Sequence, residues 1–405
     1  MLTSLEKNAN NENGRRRNVK KVLHRGSAID RLFLSSSQPI NFAIFGGQKQ
    51  SRNFLLRPFL EKHVSELPII LLHNHNEYLV DQVYHAWTQQ TNNMPEQRGG
   101  FCCINQENRS FELFADLSER ECLNALRELV GLSGYENAPS FERVAKAHFS
   151  ILEALKARKT LAGLFYLCRI EDEQIFQRNI YSLPISQVEK DNIWSNFSCD
   201  SNQLWIFRSI IERLAEEMQD VWQQQVSSTT IQSVIRNKGV LTLDVSRHDS
   251  KFFLNALATE LKSVELFPFI LLVDSIQLHD TALRSLLSNA TGSYFKGVLA
   301  EDVFSVFGTA EQFEQCANRF AQMVVLHIGQ AALCEPISTM AGEYEHQVVD
   351  QNTSKQAGLI FSSGKSKGVS IRTERRRRVT CENIMELREQ QFFLFDFSEK
   401  QIYQV

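Results

Sequence analysis

The sequence contains no C-x-x-C pair, no apolar run long enough to cross a membrane and no surplus of positive charge. Its eight cysteines are scattered, apart from the adjacent Cys102 and Cys103. That spacing excludes a zinc knuckle, argues against a disulfide framework, and fits buried thiols in a reducing compartment. No stretch approaches the roughly 18 apolar residues of a spanning helix. The N-terminus runs polar and basic through Arg15, Arg16, Arg17, Lys20 and Lys21, without the apolar segment that follows the charges of a secretion signal. The expectation is a cytoplasmic protein that is recruited to an inner membrane only through partners. Formal net charge is -3, so no global field draws the chain to nucleic acid, and any such contact must come from a local patch. A Ser/His/Asp constellation, a reactive-cysteine environment and the third glycine of a dinucleotide fingerprint are missing too.

What is present is ordinary for a soluble globular chain: 405 residues, 43% hydrophobic and 22% charged. That is enough apolar material for a full core and length for two or three domains. Residues 1–36 read as a polar and basic tail. A strand (Asn41 to Phe45), a glycine turn, a helix from about Phe54 to Val64 and a second apolar strand from Pro68 then make a βαβ opening. From about 77 to 229 helices dominate. A hairpin-like piece comes first, "FCCINQ" and "SFELFAD" about Asn108, and Ser118 with Glu121 has capping-box spacing before the next helix. From Gly239 apolar strands alternate with helices again: "GVLTLDVS", "FILLVDS", "AEDVFSVFG", "QMVVLHIG" and a final "QFFLFDF". Near-continuous apolar strands between helices predict a mostly parallel sheet covered on both faces. The expected fold is α/β, with residues 37–76 and 230–405 forming one domain and 77–229 a mostly helical insertion. Internal repeats and low-complexity tracts are absent.

The stretch "FGGQKQSRN" stands where a phosphate loop would stand, between an apolar strand and an apolar helix. Such loops surround phosphates with backbone N–H groups, reach the terminal phosphates with Lys and hold magnesium with a Ser/Thr hydroxyl. The candidate nucleotide-binding positions are Gly46, Gly47, Gln48, Lys49, Gln50, Ser51, Arg52 and Asn53. The signature's second glycine, lysine and hydroxyl fall on Ser51, Arg52 and Asn53. Arg52 keeps a positive charge, but its planar fork does not replace an ammonium. Lys49 lies within the loop, and Asn53 offers magnesium a carbonyl oxygen. Further on, "FILLVDS" ends in Asp274, placed as the acid that orders magnesium, and Ser275 occupies the position of a water-polarising glutamate.

The order of these pieces resembles the type IV secretion coupling proteins, RecA-like hexameric DNA-translocating ATPases of conjugation. The resemblance runs from about residue 38 to 395 and includes an all-helical domain inserted after the second strand. It implies a RecA-like P-loop fold, ATP and magnesium as ligands, DNA and the protein subunits of a secretion or conjugation machine as partners, and a homo- or hetero-oligomer, hexameric in the family. The family's glutamine-bearing sensor segment corresponds to Gly308, Thr309 and Gln312, with Gly308 where the first glutamine would lie, and "ERRRRVTCENIMEL" resembles its closing basic strand and Thr-capped helix. Two departures matter. The membrane helices usual in the family are missing, and the substitutions (Arg52, Asn53, Ser275, Gly308) coincide with the chemistry while the surrounding strands and caps read normally. The leading expectation is therefore a catalytically degenerate ATPase acting as assembly or adaptor subunit, with no residue assigned a catalytic role. A working translocase using Lys49 and a neighbouring subunit's arginine is one alternative. A nucleic-acid-binding scaffold that never handled nucleotide is another.

Three further groups invite function. His73 and His75, with Glu77 nearby, have the spacing of a metal pair on a strand but lack a further ligand, so no metal is expected. Arg372, Arg375, Arg376, Arg377 and Arg378 form the densest basic run, a candidate for nucleic-acid contact, with Arg15 to Lys21 as a second. Trp194, Trp205, Phe207 and Trp222 are spaced as core or partner-facing residues of the helical block, with core as the default.

Overall fold

The computed structural model describes residues 21–22, 40–91, 101–104, 110–130, 138–217, 228–246, 251–278, 281–288, 294–356 and 364–405. A short β1 (Lys21–Val22) precedes β2 (Asn41–Phe45), α1 (Lys49–His63), β3 (Ile69–His73) and α2 (Glu77–Thr91). Strands β4 (Phe101–Ile104) and β5 (Ser110–Phe111) lead to the helices α3 (Glu119–Val130), α4 (Ala138–Ala154), α5 (Leu161–Cys168), α6 (Glu173–Ser182), α7 (Gln187–Phe197) and α8 (Ser201–Glu217). β6 (Ser228–Thr229) and α9 (Ile231–Arg236) return the chain to β7 (Val240–Asp244), α10 (Lys251–Ser263), β8 (Ile270–Asp274), α11 (Ala282–Ser288) and β9 (Phe295–Ala300). Then come α12 (Val303–Phe307), α13 (Ala310–Ala317), β10 (Gln322–Val325) and α14 (Ala331–Met340). A long hairpin of β11 (Glu343–Gln356) and β12 (Gly364–Arg377) is followed by α15 (Cys381–Met385), β13 (Phe393–Asp396) and β14 (Gln401–Gln404).

The main sheet has the order β1-β14-β13-β10-β2-β9-β8-β3-β7-β4. From β10 to β4 every neighbouring pair is parallel, and only β13 runs against its neighbours. β3 and β8, "IILLH" and "ILLVD", are buried along their whole length because helices cover both faces. Alternation divides the strands between two cores. Phe42 and Ile44 face α1 and α2 with Leu56, Phe59, Leu79 and Val83, while Ala43 and Phe45 join the opposite core with Phe253, Leu257 and the helical block. The α/β class, the mostly parallel sheet and the inserted helices are as the sequence leads one to expect. Cys103, Cys122, Cys168, Cys316, Cys334 and Cys381 are free and buried, and Cys199 is free and exposed. None of the described helices is long and apolar enough to cross a membrane.

Several local expectations are corrected. Among the described residues of "FCCINQ" and "SFELFAD", β4 and β5 do not pair with each other: β4 lies parallel to β7 at the main sheet's edge, and β5 lies parallel to β6. An apolar four-residue strand gains more by extending a formed sheet than from an isolated hairpin, which is marginal in water. "AEDVFSVFG" is not a strand. β9 lies upstream, and Asp302 takes the N–H groups of Phe304 (2.7 Å) and Ser305 (2.9 Å) to start α12. Helix α2, inside the 77–229 span expected for the insertion, buries Leu79, Val80, Val83 and Trp87 in the core shared with β2 and α1. The pairing of Ser110 with Ser228 and Phe111 with Thr229 closes the base of the block. Of the tail, β1 adds to the main sheet beside β14. Within the block Phe207 is buried and Trp194 packs on the core, but Trp205 is 67% exposed; Trp222 lies outside the described residues. The Ser118–Glu121 capping box forms, with the Ser118 N–H on Glu121 Oε2 at 2.8 Å and the Glu121 N–H on Ser118 Oγ at 3.3 Å.

Candidate functional site

The parallel registers set Phe45 beside Ala300, Asp274 beside Leu299 and His73 beside Asp274. The carboxyl ends of β2, β3, β8 and β9 therefore bring Gly46, His73, Asp274 and Glu301 to one edge. From β2 the chain crosses toward β3, whereas from β9 it crosses back over β2 to β10. Such a reversal is where open α/β sheets place ligands. A cleft of about 620 Å³ opens there, lined by Gly47, Lys49, Arg52, Asn74, Ser275 and Glu301.

The turn after β2 is short. Only Gly46, Gly47 and Gln48 separate the strand from α1, which starts at Lys49, earlier than the expected Phe54. With no glycine at position 51 to break it, the helix runs back until the Gln48 carbonyl accepts from the N–H groups of Ser51 (3.0 Å) and Arg52 (3.2 Å). Ser51, Arg52 and Asn53 are thus residues of α1 rather than of a loop. Gly46 and Gly47 have φ of 85° and 64°. Their N–H groups donate to Ala300 O (3.0 Å) and His327 O (2.8 Å), so neither is offered to a ligand. A side chain at Gly46 would meet the Leu326 carbonyl oxygen at 2.6 Å. The Gln48 side chain does not cap the helix, so it does not satisfy the N–H groups of Lys49 and Gln50.

Arg52 is 2% exposed. Its Nη1 donates to Gly46 O (3.1 Å) and Gly47 O (2.8 Å), pinning the turn from inside, and its Nε has no partner among the described residues. Burial lowers the guanidinium pKa, against the pull of Asp274 and then Glu301, which favour its charge. Lys49 Nζ donates to the carbonyls of Asn74 (2.9 Å) and His75 (3.3 Å). Both cations are thus fixed by neutral acceptors at the rim of one cleft.

Asp274 is fully buried. Its Oδ2 accepts from Asn76 Nδ2 at 2.7 Å and its Oδ1 from the Ser275 hydroxyl at 3.1 Å. Asn76 is also held by Asn53, whose Nδ2 donates to Asn76 Oδ1 at 3.2 Å, and that same oxygen accepts from Leu79 N at 3.1 Å to cap α2. Magnesium needs near-octahedral oxygen ligands at about 2.0–2.1 Å and keeps several waters. Here the acid meets an amide donor, Asn53 faces that amide, and no hydroxyl stands at position 53. The donor set does not fit magnesium. A phosphate fits better, beside the start of α1, Arg52 and Lys49.

The remaining sequence candidates separate. Gly308 (φ 76°) ends α12 and Thr309 caps α13 by accepting from Gln312 N at 3.2 Å. With its amide oriented toward Phe307 O, Gln312 accepts from Arg284 at 2.6 Å. None of the three lines the cleft; Ser305 of α12 does. Ser275 has φ of 57° and lines it. His73 is buried, receives the Asn76 N–H on Nδ1 at 3.2 Å and has its pKa lowered by burial. His75 instead faces Asp244 at 3.2 Å, so the two rings do not form a metal pair. Among the described residues no cluster of three or more His, Cys, Asp or Glu could hold a metal ion. In the basic run, Arg372 and Arg376 both contact Glu374 at 3.1 Å, and Arg377 forks onto Glu335 at 2.6 and 2.7 Å. Arg375 is exposed and Arg378 is held through its N–H on Gly342 O. The basic residues 15–20 lie outside the described residues.

No family model matches this sequence, and no curated protein does. Solved structures match nearly end to end. The bacterial conjugative coupling protein TrwBdeltaN70 superposes with a TM-score of 0.58 at 13% identity over 95% of this chain and 93% of that one. The chain has the fold of a conjugative coupling protein. TrwB in complex with the non-hydrolysable ATP analogue ADPNP gives 0.58 at 13% identity, covering 94% and 91%. VirB4 of Thermoanaerobacter pseudethanolicus gives 0.50 at 9% identity, covering 90% and 88%. TrwB has also been solved with ADP and Mg²⁺.

The sequence reading missed Asn76 and Glu301. Asn76 was findable as an asparagine immediately before α2, a preferred N-cap, but its second role depends on the distant Asp274. Glu301 follows β9 and reaches the cleft only because β9 lies between β2 and β8.

Proposed function

We propose that this chain is a coupling-protein-like subunit of a conjugation or type IV secretion machine whose nucleotide site no longer hydrolyses ATP. It would work as an assembly or adaptor component beside active subunits. The observation that carries this reading is the Asn53–Asn76–Asp274 network, seated in a coupling-protein fold at the position of the magnesium acid. Hydrolysis needs developing charge neutralised and water activated in the transition state. In this site the acid is spent on an amide, and the residue after it is Ser275. The short turn also withholds the N–H groups of Gly46 and Gly47. Losing several such interactions amounts to many kcal/mol of barrier.

The test is complementation. In the native host, deleting the gene should abolish DNA transfer or secretion, and supplying Asp274→Asn should restore it to the wild-type level. Undisturbed transfer after deletion would remove the machine from the reading. Failure of a stably folded Asp274→Asn to complement would restore a magnesium-dependent catalytic role.

A further inference from the structure

The cleft's lining holds two cations, Lys49 and Arg52. Arg52 and Lys49 are positioned by carbonyl oxygens of Gly46, Gly47, Asn74 and His75, none of which cancels a charge. Arg52 is buried, lines the cleft, and leaves Nε without a partner among the described residues. Asp274, where a metal would be ordered, is sealed beneath Asn76. In a magnesium-dependent site the divalent ion supplies part of the positive charge on the phosphate chain; here that charge is built into the protein.

Building on the nucleotide-site reading above, we propose that the cleft binds the phosphate chain of a nucleotide without a divalent cation, with the Arg52 guanidinium and the Lys49 ammonium in its place. The N–H groups of Lys49 and Gln50 at the start of α1 supply donors alongside. Glu301 also lines the cleft and its negative charge opposes the ligand, so removing that charge tightens binding. The oxygens of a phosphate accept both from the fork of Arg52 and from the point charge of Lys49, and neither interaction asks Asn76 to release Asp274. Magnesium chelated by free nucleotide lowers the anion's charge, and the buried acid Asp274 is already engaged by Asn76 and Ser275.

The experiment is calorimetric titration of the purified full chain with ADP and with a slowly hydrolysed ATP analogue. Each is run in millimolar magnesium and again in excess EDTA. Affinity in EDTA is expected to equal or exceed that in magnesium. Arg52→Lys and Lys49→Ala are each expected to weaken it about ten- to a hundredfold, the worth of a charge-assisted hydrogen bond. Glu301→Gln is expected to tighten it severalfold. Binding that appears only with magnesium would overturn the proposal while leaving a nucleotide site in place. Absence of heat in both media would overturn the proposal and the nucleotide-site reading together. Binding that survives both cation substitutions in well-folded variants would place the ligand elsewhere and also overturn it.

Discussion

Replacing Asn76 by alanine should destabilise the sheet domain by roughly 3–5 kcal/mol, a large share of a usual folding free energy. The side chain is 3% exposed and does three things. It donates to buried Asp274 Oδ2 at 2.7 Å, a hydrogen bond to a charge worth about 1.5–3 kcal/mol. It accepts from Leu79 N at 3.1 Å as the cap of α2, worth about 1 kcal/mol. It also pairs with the buried Asn53 amide at 3.2 Å, which alanine would strand at a cost of about 1 kcal/mol or more. Urea unfolding followed by far-UV circular dichroism would measure the change. Asn76→Asp separates the causes, because aspartate keeps the cap but offers no donor to Asp274 while ionised. Two adjacent carboxylates raise the proton affinity of the pair. This variant should therefore be weak at neutral pH and recover as acid returns one proton to the pair. Loss under about 1 kcal/mol in Asn76→Ala, or an Asn76→Asp protein with the parent's pH profile, would refute the network as described.

Three other expectations concern stability. Burial, opposed by the Phe114 N–H and reinforced by Asp116 and Glu121, pushes Glu260 from its usual 4.5 up to about 8. The folded state then holds the extra proton, so stability should decline as pH rises through that window and level off above it, a cost on the order of 3 kcal/mol at neutral pH. Glu260→Gln keeps an acceptor for Phe114 N and should be more stable near neutrality in pH-resolved melts, with that slope removed. His148, buried among Phe176, Phe197 and Phe207, is pushed down to about 4 by burial. The unfolded chain takes up its proton first, so the helical block should lose stability as pH falls from the usual 6.5 toward 4, and His148→Phe should flatten that limb. Gly46→Ala would force a side chain to 2.6 Å from the Leu326 carbonyl oxygen at φ of 85°, and should cost at least about 2 kcal/mol by urea midpoint.

The sheet was legible because its strands are apolar without interruption and its helices carry caps that can be read locally. "IILLH" and "ILLVD" admit few other readings, and Thr380 with Asn383 caps α15 where the family resemblance places a Thr-capped helix. Elements whose partners lie far away were less legible. The apolar "FCCI" gives no sign that its neighbour is β7 rather than the strand after it, and "SVF" follows a cap that turns it into helix. In the site, the substituted positions 51–53 were visible in the sequence, but their consequence was not. That α1 starts at Lys49 and that Arg52 turns back onto Gly46 and Gly47 follow from how the turn closes on itself, and that Asn53 reaches Asn76 depends on packing across more than twenty residues of chain. The arginine run shows the converse: five cations close in sequence are divided in space, with Glu374 and Glu335 already engaging three of them.

The most direct test is steady-state ATP hydrolysis by the purified full chain, with magnesium, with and without single-stranded DNA. Arg52→Ala and Asp274→Asn are measured beside it. The expected result is phosphate release at the rate of the buffer blank, unchanged by DNA and by either substitution. Magnesium-dependent turnover that DNA stimulates and Asp274→Asn abolishes would contradict it.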